Sequence, residues 1–366
     1  MGAINVKHTG AGADIALSSD GTSLLLDGTA IGGGGAALEL YAENPVTPTA
    51  PSATGTNAVA IGDAAVSSGF YSVSLGSFTD STATNSVALG ASSQALGVKS
   101  VAILGNANAR ESTAIGVNNA GSFATAAGDG AMALGGSYAS GTDSFAAAIT
   151  NNTAPYGATG AMSISIGQYT RATTSGAAAF GGAFATASGS QSLAIGRNVL
   201  AQQQSSVALG QQSVSAVAGK FAYSSTKFTA TGDSQHGMCV LRQSTTDATP
   251  KVMLTDSPAP SPSATNQVIL PNNSAFAFSG TIVARQQAST GTASAAWKIE
   301  GLIRREGSAG TTVLVNSATT VLDNTPAWGM ALTADTTNGG LAITVTGAAS
   351  TNIRWVSTIN TSEVTY

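Results

Sequence analysis

The chain has 366 residues, of which 14 are basic and 18 acidic, for a net charge of −4, with 44 Gly and a single Cys. Charged residues make up 9% and apolar residues 43% of it, so Ser, Thr, Gly and Ala must cover the surface. The low hydrophobicity and high net charge of a disordered chain are absent. No basic run is longer than Arg304-Arg305, which excludes an electrostatic footprint for nucleic acid, and one Cys excludes an intrachain disulfide or a cysteine metal cluster.

The opening MGAINVKHTG lacks the basic stretch and unbroken apolar run of a secretion signal. No later segment approaches the ~18 apolar residues of a membrane helix, so no membrane insertion is expected. Met-Gly at the start invites myristoylation, but Val6 stands where that signal wants Ser or Thr. Residues 15–17 and 24–26 flank Ser-Ser-Asp-Gly and predict a hairpin with Asp20-Gly21 at its turn. Four glycines at 32–35 and the PVTPTAPSATGT run at 45–56 then read as flexible and extended. Residues 1–44 are expected to form a small module tethered by a 45–56 linker.

A repeat follows. Residues 57–62 read NAVAIG, 71–76 YSVSLG, 85–90 NSVALG, 191–196 QSLAIG and 205–210 SSVALG, and the closing glycines at 62, 76 and 90 are 14 residues apart. Fourteen is too short for helical repeats or propeller blades and fits one coil of a β-solenoid, two strands and two turns. Alternation along the strand puts Val87 and Leu89 on one face and Ser86 and Ala88 on the other. The larger apolar residues are expected to fill the interior: Val59, Ile61, Val73, Leu75, Val87, Leu89, Leu193, Ile195, Val207 and Leu209. The 154 residues of 57–210 hold nine charges and have room for about 11 such coils. The roll is assigned to 57–219. Between 105 and 167 the spacing slips to 11, 19 and 32, and Pro155-Tyr156-Gly157 reads as an extruded loop.

These runs, at this period, resemble the head repeats of trimeric autotransporter adhesins. The resemblance implies a left-handed parallel β-roll in a homotrimer. The export signal, heptad stalk and membrane anchor of such an adhesin are not read in this sequence. Instead, residues 1–33 resemble the N-terminal segments of bacteriophage fibre proteins, particularly those of cyanobacterial phages, and the closing NIRWVSTINTSEVTY is similar to the end of C-terminal domains in such virion proteins.

From 220 to 366 the period is gone. Sixteen charged residues and all three Trp lie between 221 and 366, and eight strand signals separated by Gly, Ser, Pro and Asn predict an antiparallel β-sandwich, jelly-roll-like. In the strand at 294–304, Trp297, Ile299 and Ile303 face one way and Lys298, Glu300 and Arg304 the other, the pattern of a half-buried strand. Trp297 and Trp355 therefore read as core. Trp328, in Pro326-Ala327-Trp328-Gly329, reads as a loop residue. With Arg304 and Arg305 it is the surface set expected to meet a receptor.

Other constellations reduce to simpler readings. The four glycines have no GxxxxGK[ST] context and are a linker. His236 and Cys239 are spaced like metal ligands, but His8 is the only other His and no second Cys exists, so no metal and no cofactor is expected. Asp63, Asp129 and Asp143 fall near turns, where Asp is ordinarily a turn residue, and no residue is assigned a catalytic role.

The sequence thus predicts an all-β, non-enzymatic, homotrimeric tail fibre on the virion exterior, made in the host cytoplasm. Its N-terminal segment would bind tail or capsid proteins, and its C-terminal domain would face a host surface glycan or protein. The rival readings are a capsid decoration or head fibre, a polysaccharide-cleaving tailspike, and a bacterial surface adhesin.

Overall fold

The computed structural model describes residues 47, 49–117, 121–147, 156–256, 261–287 and 293–366, and before them the backbone of five short strands. Among the described residues the regular structure is β throughout, apart from one 3-10 turn at Ala309–Thr311. The chain divides into two units, Met1–Leu104 and Gly105–Tyr366.

In the first unit, Ile4–Val6, Ile15–Ser19, Leu24–Leu26 and Thr29–Ile31 form an antiparallel meander, with Leu17 opposite Leu26 and Ser19 opposite Leu24. Gly32–35 lies outside the described residues. The solenoid begins earlier than its sequence period. Leu38–Leu40, inside the expected N-terminal module, pairs in parallel with Val59–Ile61. Ser52–Ala53, inside the expected linker, pairs with Val66–Ser67.

Each coil then stacks on the next in strict register: Val59 on Val73, Val87 and Val101, and Ala60 on Ser74, Ala88 and Ala102. A second column of two-residue strands, Ser52–Ala53, Val66–Ser67, Asp80–Ser81 and Gln94–Ala95, forms the opposite wall. The unit holds four such coils. Each turn carries a left-handed residue, Asn57, Tyr71, Asn85 and Lys99 at one end and Ala64, Phe78 and Ser92 at the other.

The interior is the reverse of the expected one. Ala60, Ser74, Ala88 and Ala102 are fully buried, whereas Val59, Ile61, Val73, Leu75, Val87 and Leu89 face outward and stay partly exposed. The cause is the thinness of the coil. Two strand walls close on each other so tightly that Ser81 Oγ and Ser86 Oγ, from opposite walls, are hydrogen-bonded at 2.7 Å, as are Ser67 and Ser72. Between walls that close, a methyl or a hydroxyl fits at the strand positions, and a Val is buried only beside a turn, as at Val199.

The second unit opens with eight coils of the same kind. Their long strands run from Thr113–Ile115 to Phe221–Ser224 and their short strands from Gly105–Ala107 to Val214–Ser215. Here too the inward residues are Ala179, Ala194 and Ala208, all fully buried and packed with Ala172, Ala187 and Ala201. Leu193, Val207 and Leu209 are partly exposed and Ile195 is 37% exposed, so these four also face out. Spacing slips are absorbed in the turns. A bridge between Val117 and Phe123 closes one excursion, and a register shift between Phe180 and Ala183 takes up a fifteenth residue. Gly157–Ala158, expected within a loop, is a short strand between Tyr138–Ala139 and Arg171–Ala172. The motif glycine has a steric reason: at Gly196, φ is +135°, and a Cβ would sit 1.8 Å from the Gly210 carbonyl oxygen in the next coil.

No break occurs at the expected boundary near 219. Phe221–Ser224 pairs antiparallel with Ser234–Thr245, Phe221 opposite Met238, so the solenoid sheet passes directly into the C-terminal one. That sheet has the spatial order Ser234–Thr245, Ile353–Thr365, Ser274–Gln286, Ser294–Arg305, Val313–Asp323. The last three follow one another as hairpins, and Ile353–Thr365 returns to lie beside the first of them, a Greek key. A smaller sheet is centred on Gly340–Thr346, flanked by Gly329–Asp335 on one side and by Lys251–Val252 and Val268–Ile269 on the other. The two sheets share one core that includes Leu241, Phe276, Ile282, Ile299, Ile303, Ile343 and Trp355. The expected sandwich is thus unequal, five long strands against a small sheet, where a jelly roll would set four against four. The short connection at 306–312 keeps Ser294–Arg305 and Val313–Asp323 adjacent in one sheet.

Candidate functional site

The expected receptor set is not assembled. Trp328 is only 5% exposed. Ala327 adopts a left-handed φ of 56°, and the Asn324 side chain clasps the next residue from both sides, its Oδ1 accepting from Trp328 N at 2.9 Å and its Nδ2 donating to Trp328 O at 2.8 Å. This turn folds the ring under the chain, 5.8 Å from Trp355. Trp355 in turn stacks on Trp297 at 5.9 Å and donates Nε1–H to Thr245 Oγ1 at 3.0 Å. All three Trp are core. Arg304 is exposed beside Glu306 at 3.5 Å. Arg305 is turned inward, its Nη1 donating to Leu270 O at 2.7 Å. Both lie at the opposite end of the 294–305 strand from Trp297, so neither is brought to Trp328.

His236 and Cys239 sit an odd number of residues apart on one strand and point to opposite faces, His236 exposed and Cys239 buried. Burial pushes the Cys239 thiol up to about 11, which leaves it un-ionised and unreactive. Among the described residues no three His, Cys, Asp or Glu side chains converge on a metal position. The turn carboxylates are likewise engaged. Asp63 Oδ1 accepts from Thr49 N at 2.6 Å and Asp129 Oδ1 from Arg110 N at 3.1 Å, while Asp143 occupies a left-handed turn position.

A cavity of about 390 Å³ opens where the last coils meet the C-terminal sheet, with Val214, Val217, Ile269 and Leu270 on its apolar side and Lys220 and Glu363 on its polar side. Lys220 Nζ donates to both Glu363 oxygens at 2.6 and 2.7 Å, and the pair is buried. Gln235 Nε2 and Thr361 Oγ1 donate to the same carboxylate at 2.7 and 2.6 Å. A carboxylate that accepts four hydrogen bonds from three donor groups is a finished structural pair with no lone pair left for a substrate. Nearby, Asp233 accepts from the backbone N–H of Phe228, Thr229 and Ala230. Burial pushes its carboxyl up, but those donors outweigh burial and hold it at about 2.

Two surface features remain. One is the outward row of Val, Ile and Leu on the long strands: Val59, Ile61, Val73, Leu75, Val87, Leu89, Val101 and Ile103 in the first unit, and residues such as Ile164, Ile166, Leu193 and Ile195 in the second. The other is an aromatic cluster on the second unit. Tyr169 lies 5.0 Å from Tyr156 and 5.0 Å from Phe184, with Tyr156 and Phe184 6.3 Å apart. The Arg171 guanidinium stands 5.8 Å over the Tyr156 ring. Sequence reasoning missed this cluster, although a signal existed: an aromatic two residues after the motif glycine, as at Phe78 after Gly76 and Tyr169 after Gly167.

The profile of the YadA head domain repeat matches residues 53–79, 81–103 and 182–198, so the chain carries head repeats of the adhesin type on a parallel β-solenoid. No curated protein matches the sequence. Two solved structures that it is similar to are phage proteins. One is the tailspike protein gp49 of Acinetobacter baumannii bacteriophage Fri1, described as a capsular polysaccharide depolymerase, at 13% identity and a TM-score of 0.23 over 88% of this chain and 50% of that one. The other is the tailspike protein of Acinetobacter phage vB_ApiP_P1, at 9% identity and a TM-score of 0.18 over 89% of this chain and 60% of that one. The chain thus spans 50 to 60% of the length of these tailspikes.

Proposed function

We propose that this chain is a structural fibre of the phage virion exterior, of the tail-fibre or tailspike kind, that works as a homotrimer. In this reading residues 1–44 engage the particle, and the solenoid carries the C-terminal sandwich toward the host surface. The observation that carries it is the inverted coil. A solenoid whose interior holds Ala and Ser and whose outward row is Val, Ile and Leu has its main apolar surface on the outside, where only another copy of the chain with the same periodicity can cover it in register. The adhesin-type head repeats support the same assembly.

A second self-contact is favoured by the strand Val313–Asp323. It is an edge strand 11 residues long, almost wholly exposed, and it shows Val313, Val315, Val321 and Leu322 to solvent. Proteins rarely leave such an edge unpaired.

The reading is non-enzymatic, and it is supported by the carboxylates of Asp63, Asp129 and Glu363, which are held in turns or in a buried ion pair. Native mass spectrometry on the full chain tests the assembly, with a trimer expected and a stable monomer at micromolar concentration refuting it. Release of reducing ends from host surface polysaccharide by the purified chain would refute the non-enzymatic part. Gold-labelled antibody on intact particles tests the virion location.

A further inference from the structure

The aromatic cluster on the second unit is not explained by self-association. Tyr169 and Phe184 hold left-handed backbone, with φ of 52° and 53°, and Asn198 and Gln212 hold the same turn position in the two coils that follow. Bulky aromatics are uncommon in that region of φ, where Asn is at ease. The turn itself therefore does not call for the rings. Phe184 is 45% exposed and both tyrosines are partly exposed, so the rings do not serve as a core either.

The cluster also differs from the apolar row in where it sits and in its charge. Arg171 belongs to the short-strand wall, between Gly157 and Thr186, and not to the long strands that carry Val and Leu. Its Nε is buried and has no hydrogen-bond partner among the described residues. Arg197, exposed, lies in register with Ala183, next to Phe184. Between Asp143 and Arg197 the only charged residue of the sequence is Arg171. A chain of net negative charge thus presents, around three rings, two arginines and no nearby acid in sequence.

We propose that Tyr156, Tyr169, Phe184 and Arg171 form a carbohydrate-binding platform on the flank of the solenoid, for a pyranose that carries a carboxylate, as in a uronic-acid-containing surface polysaccharide. A pyranose offers an apolar C–H face that stacks on aromatic rings, while its carboxylate accepts the paired N–H donors of a guanidinium. The cluster, with ring centroids 5.0 to 6.3 Å apart, matches the footprint of one or two sugar rings. Another copy of this chain presenting its Val, Ile and Leu row is a poorer occupant, because that row offers Arg171 no counter-charge. The inference rests on the fibre reading for its setting alone, since the saccharide would be part of the surface that the fibre meets.

The test uses the full chain, hexagalacturonate as the acidic probe and maltohexaose as the neutral one, with saturation-transfer NMR and calorimetry. Phe184→Asn is the main variant, because Asn already stands at that turn in Asn198 and keeps the backbone at ease. Arg171→Gln is the second. The parent is expected to bind hexagalacturonate more tightly than maltohexaose. Phe184→Asn should weaken both by about three- to tenfold, the loss of one stacking contact, and Arg171→Gln should abolish the preference for the acidic probe. Circular dichroism and native mass spectrometry should find both variants folded and in the parent's assembly state. No hexagalacturonate binding by the parent, or binding unchanged in both variants, overturns the platform. A changed assembly state in Phe184→Asn would make the cluster a contact between copies and overturn it as well. The fibre reading fails separately, on a monomeric parent.

Discussion

Ala88→Leu should damage the solenoid more than Val87→Asp, the reverse of what residue size and polarity suggest. Ala88 is fully buried, stacked in register between Ser74 and Ala102. Next to it the two walls are within hydrogen-bonding distance, Ser81 Oγ to Ser86 Oγ at 2.7 Å. Leucine adds three carbon atoms to a space bounded on both sides by backbone, and overpacking of that kind costs about 1–3 kcal/mol, at the upper end here because neither wall can retreat without losing its inter-coil hydrogen bonds. Neighbouring coils hold each other, so the damage should spread to the coils of Ser74 and Ala102. Ala88→Ser is the control and should cost little, since Ser74 fills the same position one coil earlier. Val87→Asp places its charge in solvent on the isolated chain and should leave the coil folded, yet prevent association through the apolar row. Urea unfolding followed by far-UV circular dichroism, with sedimentation of each variant, separates the two effects. A parent-like midpoint for Ala88→Leu, or a Val87→Asp chain that sediments as unfolded monomer, would refute the assignment of the inward face.

Three further outcomes follow from the C-terminal region. Lys220→Met strands Glu363 in a buried site and should cost about 3–5 kcal/mol, whereas Lys220→Met with Glu363→Leu should recover most of it, as denaturant titrations of the single and double variants can show. Trp328→Ala should destabilise the sandwich by about 3–5 kcal/mol through the cavity left beside Trp355, and thermal unfolding should detect it; a folded variant of unchanged stability would return Trp328 to the surface. Asp233 is held at about 2, below its ordinary 3.8, so its contribution is present above about pH 4 and lost as pH falls toward 2. The difference in melting temperature between the parent and Asp233→Asn should accordingly be level from neutral pH down to about pH 4 and shrink below it, and a difference that grows on acidification would contradict the backbone donors as its source.

The 14-residue period was legible because the coils outside 105–167 are closed by the same two turns, and a left-handed residue or a glycine recurs at each. The direction of the strands was not. Alternation in Ser86, Val87, Ala88 and Leu89 separates two faces without saying which is inside, and the rule that larger apolar residues are interior assumes an interior wide enough for them. Ser52–Ala53 escaped notice because a two-residue strand in a Pro-rich run leaves no pattern, and its place is fixed only by pairing with Val66–Ser67. Trp297 and Trp355 were readable from strand alternation. Trp328 was misread because the clasp by Asn324 depends on a backbone turn that Pro326 and Gly329 permit but do not announce. The Lys220–Glu363 pair joins residues 143 apart in sequence, a separation over which local pattern carries no information.

The inverted coil also accounts for the composition with which the sequence begins. If the strand positions of each coil admit only methyl and hydroxyl side chains between its walls, Ala, Ser and Thr are required there. Glycine is required where successive turns touch, as at Gly196 against Gly210. If another copy covers the outward row, as proposed, charges are excluded from it as well. A solenoid of this kind buries little apolar surface on its own, since its interior clusters are almost wholly alanine, as in the set from Ala172 to Ala208. The C-terminal sandwich, by contrast, encloses Trp, Phe, Ile and Leu in one core. The two parts should therefore gain stability from different sources: the sandwich from its own core, and the coils from Val, Ile and Leu buried between copies, at about 25 cal/mol per Å² covered. Association should then add stability to coils that each chain already folds, and their stability should depend on protein concentration while that of the sandwich core does not.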